Sequence, residues 1–133
     1  MTEMEYAIPR EHAAVAIRRV KTIADRTDLD VPFPIEVRWV ASDDAFLSPS
    51  TGRDTCYIAV HMYAGMPWEK YFRAVEDTLD EFDARPHWGK RHFRTAETLA
   101  PRYPDWNRFT QVRKRFDPDG VFVNDYTARV LGI

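Results

Sequence analysis

A single cysteine, Cys56, stands in 133 residues, which excludes an internal disulfide framework and any multi-cysteine zinc site. Glycine is scarce as well: five are scattered along the chain, and none builds a glycine-rich phosphate loop of either dinucleotide-binding type. A nucleotide cofactor, if one takes part, is not held by those devices here. Charge of one sign is lacking too. The 19 basic and 21 acidic residues leave a net charge of −2, which argues against bulk electrostatic binding of nucleic acid or anionic membrane. No apolar run approaches the ~20 residues needed to span a bilayer. The N-terminus Met1-Thr2-Glu3-Met4-Glu5 carries acids where a signal peptide needs positive charge and then an apolar stretch. Together these absences predict a reducing, cytoplasmic setting. What is abundant is apolar and aromatic: 44% hydrophobic residues against 30% charged, with four Trp, six Tyr and eight Phe, enough for a dense core in a chain of one-domain length. Some of those aromatics are available to line a flat-ligand pocket or a contact surface.

The pattern along the chain predicts an α+β architecture. Glu3 to Ile8 reads as a strand ended by Pro9. From Arg10 the period becomes helical, with Ala13, Ala16, Ile17, Val20, Ile23 and Ala24 on one stripe. Asp28 to Pro34 is a proline-bearing turn. Ile35 to Val40 and Thr55 to Tyr63 alternate as strands, separated by a polar loop from Ser42 to Asp54. Trp68, Phe72, Val75, Leu79 and Phe82 stripe a second helix from about Pro67 to Asp83, and a fourth strand is expected at Arg85 to Trp88. This order predicts a ferredoxin-like split βαβ unit, an antiparallel sheet with both helices on one face. Ile35, Val37, Trp39, Cys56, Ile58, Val60 and Met62 suit the helix-covered face; Glu36, Arg38, Tyr57, His61 and Tyr63 share the other. Residues 1–90 form this unit, and 91–133 form a helical C-terminal tail. Short helices are expected at Thr95–Ala100 and Asp105–Phe116, a stop at Asp117-Pro118-Asp119-Gly120, and a last turn near Tyr126–Leu131. The tail has apolar surfaces but no sheet of its own, so it packs against this unit or against another polypeptide.

Two constellations carry chemistry. Glu36 and Arg38, two apart on one strand, emerge on one face, either as a surface ion pair or, with His61 and Tyr63 from the next strand, as a surface that binds a polyol or an acid. His87-Trp88-Gly89-Lys90 comes just after Arg85-Pro86, with a glycine that lets backbone approach a ligand and a lysine that brings a point charge. The same run, followed by Arg91, His92 and Arg94, is also readable as an ordinary basic loop. His87 and His92 lack a clear acidic third ligand, so no metal site is expected. Cys56 falls on the helix-covered face and is expected to be a buried, inert thiol.

Taken together, Arg85-Pro86-His87-Trp88-Gly89-Lys90, Leu99-Ala100-Pro101-Arg102-Tyr103-Pro104, Trp106, Phe109, Val112-Arg113 and Asp117-Pro118-Asp119-Gly120 resemble the C-terminal end of the sugar-1,4-lactone oxidases and alditol oxidases, which are vanillyl-alcohol-oxidase-type flavoproteins. Upstream, Pro34-Ile35-Glu36-Val37-Arg38, Asp43-Asp44, Leu47-Ser48-Pro49 and Arg53-Asp54 are similar to the same family, so the resemblance runs from about Glu3 to Gly132. It implies oxidation of a hydroxyl-bearing carbon of a sugar lactone or polyol, with FAD as cofactor held mainly by an N-terminal domain that this chain does not match. Residue by residue, it implies Lys90, with His87 nearby, beside the flavin ring, where the lysine charge favours an anionic reduced flavin. It further implies Glu36 and Arg38 on substrate hydroxyls and His61 hydrogen-bonded to substrate. Tyr63 departs from the smaller hydroxyl residue of the alditol-oxidising members.

Two readings follow. In the first, the chain is the C-terminal, substrate-side portion of such an oxidoreductase, partnered by an FAD-binding domain or subunit and inactive alone. In the second, it is a stand-alone ferredoxin-like binding or cofactor-independent module that self-associates as a homodimer through its uncovered sheet face. A pocket holding Glu36, Arg38 and His61, closed by the tail or by a second copy, would favour the second; an open apolar surface would favour the first.

Overall fold

Apolar and polar residues alternate along Thr2–Pro9, and this segment forms β1, with Met4, Tyr6 and Ile8 buried in the main core and Glu3, Glu5 and Ala7 on the opposite side. The computed structural model describes every residue from Met1 to Ile133. β2 (Glu36–Val40), β3 (Thr55–Met62) and β4 (Arg85–Pro86) complete a sheet of order β2-β3-β1-β4, antiparallel throughout. This is the split βαβ arrangement expected from the sequence. α1 (Ala13–Ala24), entered through a single 3-10 turn at Arg10–His12, and α2 (Glu69–Asp80) fill the two crossovers. Ala13, Ala16 and Val20 of α1 and Tyr71, Phe72, Val75 and Leu79 of α2 recur at helical spacing and join Met4, Tyr6, Ile8, Cys56, Ile58, Val60 and Met62 in one core. Both helices therefore cover one sheet face, and Cys56 is buried beneath them, its thiol pushed up by burial.

The register determines what the other face carries. Glu36 pairs with Ala59 and Arg38 with Tyr57, while Glu3 pairs with His61, Glu5 with Ala59 and Ala7 with Tyr57. Opposed residues in an antiparallel pair project to the same side. Glu3, Glu5, Glu36, Arg38, Tyr57 and His61 thus share the face turned away from α1 and α2.

Three expectations are corrected. Trp39 does not enter the helix-covered core. β2 is an edge strand, and at its end the indole lies more than half exposed, with the Arg10 guanidinium 5.4 Å from its ring centroid. Tyr63 falls one position beyond β3 and is 55% exposed. The fourth strand is only Arg85–Pro86, because the chain leaves the sheet at His87, where the backbone N–H bonds to Glu5 O (2.9 Å), and returns at Arg91, whose N–H bonds to Glu3 O (2.9 Å). Lys90 N donates to His87 O (3.1 Å), closing the excursion as a tight turn beside β1.

The tail packs on this unit through α3 (Ala96–Leu99), α4 (Trp106–Phe116) and α5 (Asp125–Leu131). A second, smaller core of Leu99, Tyr103 and Val130 takes in Leu47 and Trp88 from the sheet side. Ion pairs latch it to α2: Arg94 Nη2 lies 2.6 Å from Asp80, Arg102 pairs with the same carboxylate, and Arg102 Nη1 donates to Ala84 O at 2.7 Å. Glu76 accepts from Phe93 N at 2.9 Å and from the hydroxyl of Tyr6. The Asp-Pro-Asp-Gly stop is built by Asp117, whose carboxylate accepts from the backbone N–H groups of Val121 (2.7 Å) and Phe122 (3.2 Å). The same turn leaves Phe116 81% and Phe122 78% exposed. No helix is long and apolar enough to cross a membrane.

Candidate functional site

The open sheet face is organised around Glu5. Its position on β1, between β3 and the returning chain, leaves its side chain 1% exposed. Burial raises the cost of ionising this carboxyl, but two cations outweigh it and hold the group below the usual carboxylate range. Arg38 donates from Nε to Glu5 Oε1 at 2.7 Å, reaching from β2 across β3 with its guanidinium 5.0 Å from the Tyr57 ring centroid. Lys90 Nζ stands 3.1 Å from Glu5 Oε2 and 3.1 Å from Glu3 Oε2. It is the tight turn at His87–Lys90 that brings the ammonium back over β1, and the two carboxylates hold the lysine above its ordinary pKa against the opposing effect of burial.

Glu36 and Arg38 do not pair with each other. Arg38 turns to Glu5, and Glu36 Oε2 lies 3.9 Å from His61 Nε2. His61 itself is nearly buried on the central strand, whereas the Glu36 side chain is 61% exposed. Beside them stands an aromatic pair: Phe33, from the turn before β2, has its ring centroid 4.5 Å from that of Tyr63 and 6.0 Å from that of His61. The structure thus brings Glu36, Arg38, His61 and Lys90 onto one face. It sets Tyr63 at the border of that face, against Phe33, and His87 in the turn, where its Nδ1 accepts from Gly89 N at 3.1 Å.

Two hollows flank the cluster. One of ≈ 300 Å³ is bounded by Arg38, Tyr57, Pro49, His87 and Trp88. Its far wall is the Ser42–Asp54 loop, tied down by Arg85 Nη1 to Thr51 O (2.9 Å) and by Trp88 Nε1 to Leu47 O (2.7 Å). The other, an open cleft of ≈ 690 Å³, runs past Glu3, Lys90 and Gly89 between Trp68 and Trp88. His92 borders it. The Tyr126 hydroxyl donates to Trp88 O (2.7 Å), so it accepts from His92 Nε2–H (2.9 Å), leaving His92 Nδ1 as a buried acceptor without a partner. Burial first, then the charges of Arg129 and Arg94, push this imidazole down to about 4. Neither of these hollows holds Glu36, Arg38 and His61 together.

Glu3 and Glu5 are absent from the set that sequence reasoning singled out, and so is Phe33. The signal for the two acids is plain in hindsight: they alternate with Met4, Tyr6 and Ile8, so they must face away from the core. Reading that signal required knowing that β1 lies next to β3.

Comparison with known proteins, rather than the sheet face alone, places the chain among the sugar-lactone and alditol oxidases. Residues 1–130 match the D-arabinono-1,4-lactone oxidase family, and the chain belongs to it. It is 63% identical over 131 residues to L-gulono-1,4-lactone dehydrogenase of Mycobacterium tuberculosis, covering 98% of this chain and 31% of that protein. Alditol oxidase of a Streptomyces species is 40% identical over 136 residues (97% of this chain, 31% of that protein), and L-gulonolactone oxidase of Mus musculus 35% over 132 (96% and 30%). The chain therefore spans about 30% of the length of the curated relatives it matches.

Proposed function

We propose that this chain is the C-terminal, substrate-side portion of an FAD-dependent oxidoreductase that oxidises a hydroxyl-bearing carbon of a sugar-1,4-lactone or an alditol. The observation that carries this reading is the convergence of Glu36, Arg38, His61 and Lys90, from three separate segments, on the one sheet face that the helices leave uncovered. In this reading Glu36 and Arg38 receive substrate hydroxyls. Arg38 spends only Nε on Glu5, so both Nη groups remain to hydrogen-bond the substrate oxygen and to favour its anionic form. His61 hydrogen-bonds the substrate from beside Glu36, and Tyr63 with Phe33 bounds the space the substrate occupies.

The residues beside Lys90 fit the ring end of a flavin. The cleft is walled by Trp68 and Trp88 and has backbone exposed at Gly89. A bound flavin would supply the hydride acceptor. Lys90 brings positive charge to its edge, and His87 belongs to the same turn. Nothing in the chain resembles a pyrophosphate cradle, and the FAD-binding domain is assigned to a further part of the protein or to a partner. The helical tail from residue 91 onward then docks on that domain through the apolar surface left by Phe116, Val121 and Phe122. That open surface also favours this reading over a closed, self-associating module.

The test is reconstitution. The purified chain with added FAD should stay colourless after gel filtration and reduce no dye with L-gulono-1,4-lactone or with alditols. Joined to the FAD-binding part of the M. tuberculosis relative, it should turn yellow and oxidise one of these substrates. Flavin retained by the chain alone overturns the division of labour, and a yellow but inert assembly overturns the substrate reading.

A further inference from the structure

We infer that Glu5 is the positioning residue of this site, one buried carboxylate that holds Arg38 with one oxygen and Lys90 with the other and so sets the spacing between the two cations. The inference rests on the functional reading above but assigns a role to a residue that does not itself meet substrate. Three observations carry it. Burying a carboxylate is costly, and an apolar side chain would serve a purely structural role at this place better. Glu5 is nevertheless 1% exposed, while the cations it holds keep their outer ends open, the side chains of Arg38 and Lys90 being 47% and 22% exposed. Its backbone is pinned on both sides, by pairing with Ala59 of β3 and by the His87 N–H at 2.9 Å on Glu5 O.

Arg38 and Lys90 come from opposite sides of β1 and share no other anchor. β2 is two strands away, so the arginine must cross β3, roughly 10 Å at ordinary strand spacing, and it does so over the Tyr57 ring. Lys90 arrives from the turn on the other side, where Glu3, on the rim, is its second partner. Without Glu5 the lysine keeps Glu3, but the arginine keeps no hydrogen bond at all among the residues of this chain. A long, flexible guanidinium side chain then samples many rotamers, and the two positive charges repel each other across the face.

The experiment uses 15N-labelled chain as wild type, E5Q and E3Q. In the wild type, the Arg38 Nε–H exchanges slowly with water. In E5Q, that exchange quickens by about tenfold or more, the scale of one charge-assisted hydrogen bond lost, and the Lys90 ammonium titrates at lower pH. In E3Q, Lys90 moves and Arg38 does not. Unchanged Arg38 and Lys90 signals in E5Q, with only a lower unfolding midpoint, overturn the inference. Should E5Q fail to fold, the wild type still decides: an Arg38 Nε–H that exchanges as fast as that of exposed, unpaired Arg18 overturns it. In the reconstituted enzyme, E5Q should lower kcat, leave flavin content unchanged and move the alkaline limb of the pH profile down with the Lys90 midpoint; an unmoved limb overturns the positioning role. A wild-type assembly that oxidises no lactone or alditol refutes the proposed function instead, while the exchange measurements continue to report on Glu5 alone.

Discussion

His92 makes stability depend on pH in a way that can be isolated. The imidazole is buried between Trp88 and Tyr126, donates from Nε2 to the Tyr126 hydroxyl at 2.9 Å, and faces Arg94 and Arg129 rather than any carboxylate. Protonation would place a second N–H with no acceptor beside two guanidinium groups, which is why the folded state keeps the ring neutral down to about 4 instead of the ordinary 6.5. The unfolded chain therefore binds a proton that the folded chain refuses between these values, so stability is complete above pH 6.5 and is lost as pH falls toward 4. The displacement is worth about 3 kcal/mol, most of it spent by pH 4.5. Urea unfolding followed by tryptophan fluorescence at pH 7.5 and 4.5 measures it, with H92F as the reference. Phenylalanine preserves the packing and leaves Tyr126 donating to Trp88 O, at a cost of about 1 kcal/mol for the lost hydrogen bond at pH 7.5. Glu3 and Glu5, held below the usual carboxylate range, titrate in both proteins and cancel in the difference. The wild type should lose about 2.5 kcal/mol more than H92F over this interval. Equal losses in the two proteins would refute the reasoning.

Other outcomes follow from packing. L99A removes a fully buried side chain from the smaller core and should cost about 2–5 kcal/mol in chemical denaturation, loosening the tail ahead of the sheet, as hydrogen exchange in α5 would show. R85Q withdraws the buried guanidinium that holds Pro49 O and Thr51 O; it should cost about 1–3 kcal/mol and expose the Ser42–Asp54 loop to limited proteolysis, which an intact loop would contradict. F116S with F122S should change the stability of the chain by less than about 0.5 kcal/mol, since both rings are solvent-exposed, yet weaken its affinity for the FAD-binding part in a titration. Affinity equal to the wild type would place the docking surface elsewhere.

The elements were legible because their periods are clean. Ala13, Ala16 and Val20 step by threes and fours, and Val37 and Ile58 sit in strands that alternate without a break, so the two-helix, one-sheet layout and the shared face of Glu36, Arg38 and His61 could be read locally. What stayed hidden depends on neighbours distant in sequence. The ion-pair reading of Glu36 with Arg38 was reasonable until register placed Glu5 within reach. Trp39 alternates with the core residues of β2, but alternation does not reveal where the covering helix ends. His87 and Trp88 read as the end of a strand because local sequence cannot show that the chain leaves β1 at Glu5 and rejoins it at Glu3. Asp117, part of the motif that carried the resemblance, serves the backbone of its own turn.

The His87–Lys90 turn has a further effect at the border of the sheet. β4 pairs with only Tyr6 and Ala7, which by itself would leave half of β1 as an open row of backbone groups, a template for adding a foreign strand. Hydrogen bonds from His87 and Arg91 occupy the carbonyls of Glu5 and Glu3 and close that row with irregular backbone. The remaining border is β2, and there the outward residues are Glu36 and Arg38. The charges of the open face thereby also discourage strand-to-strand aggregation, so neutralising both at once should make this chain prone to assemble into extended β-structure, a liability separate from the proposed role in binding substrate.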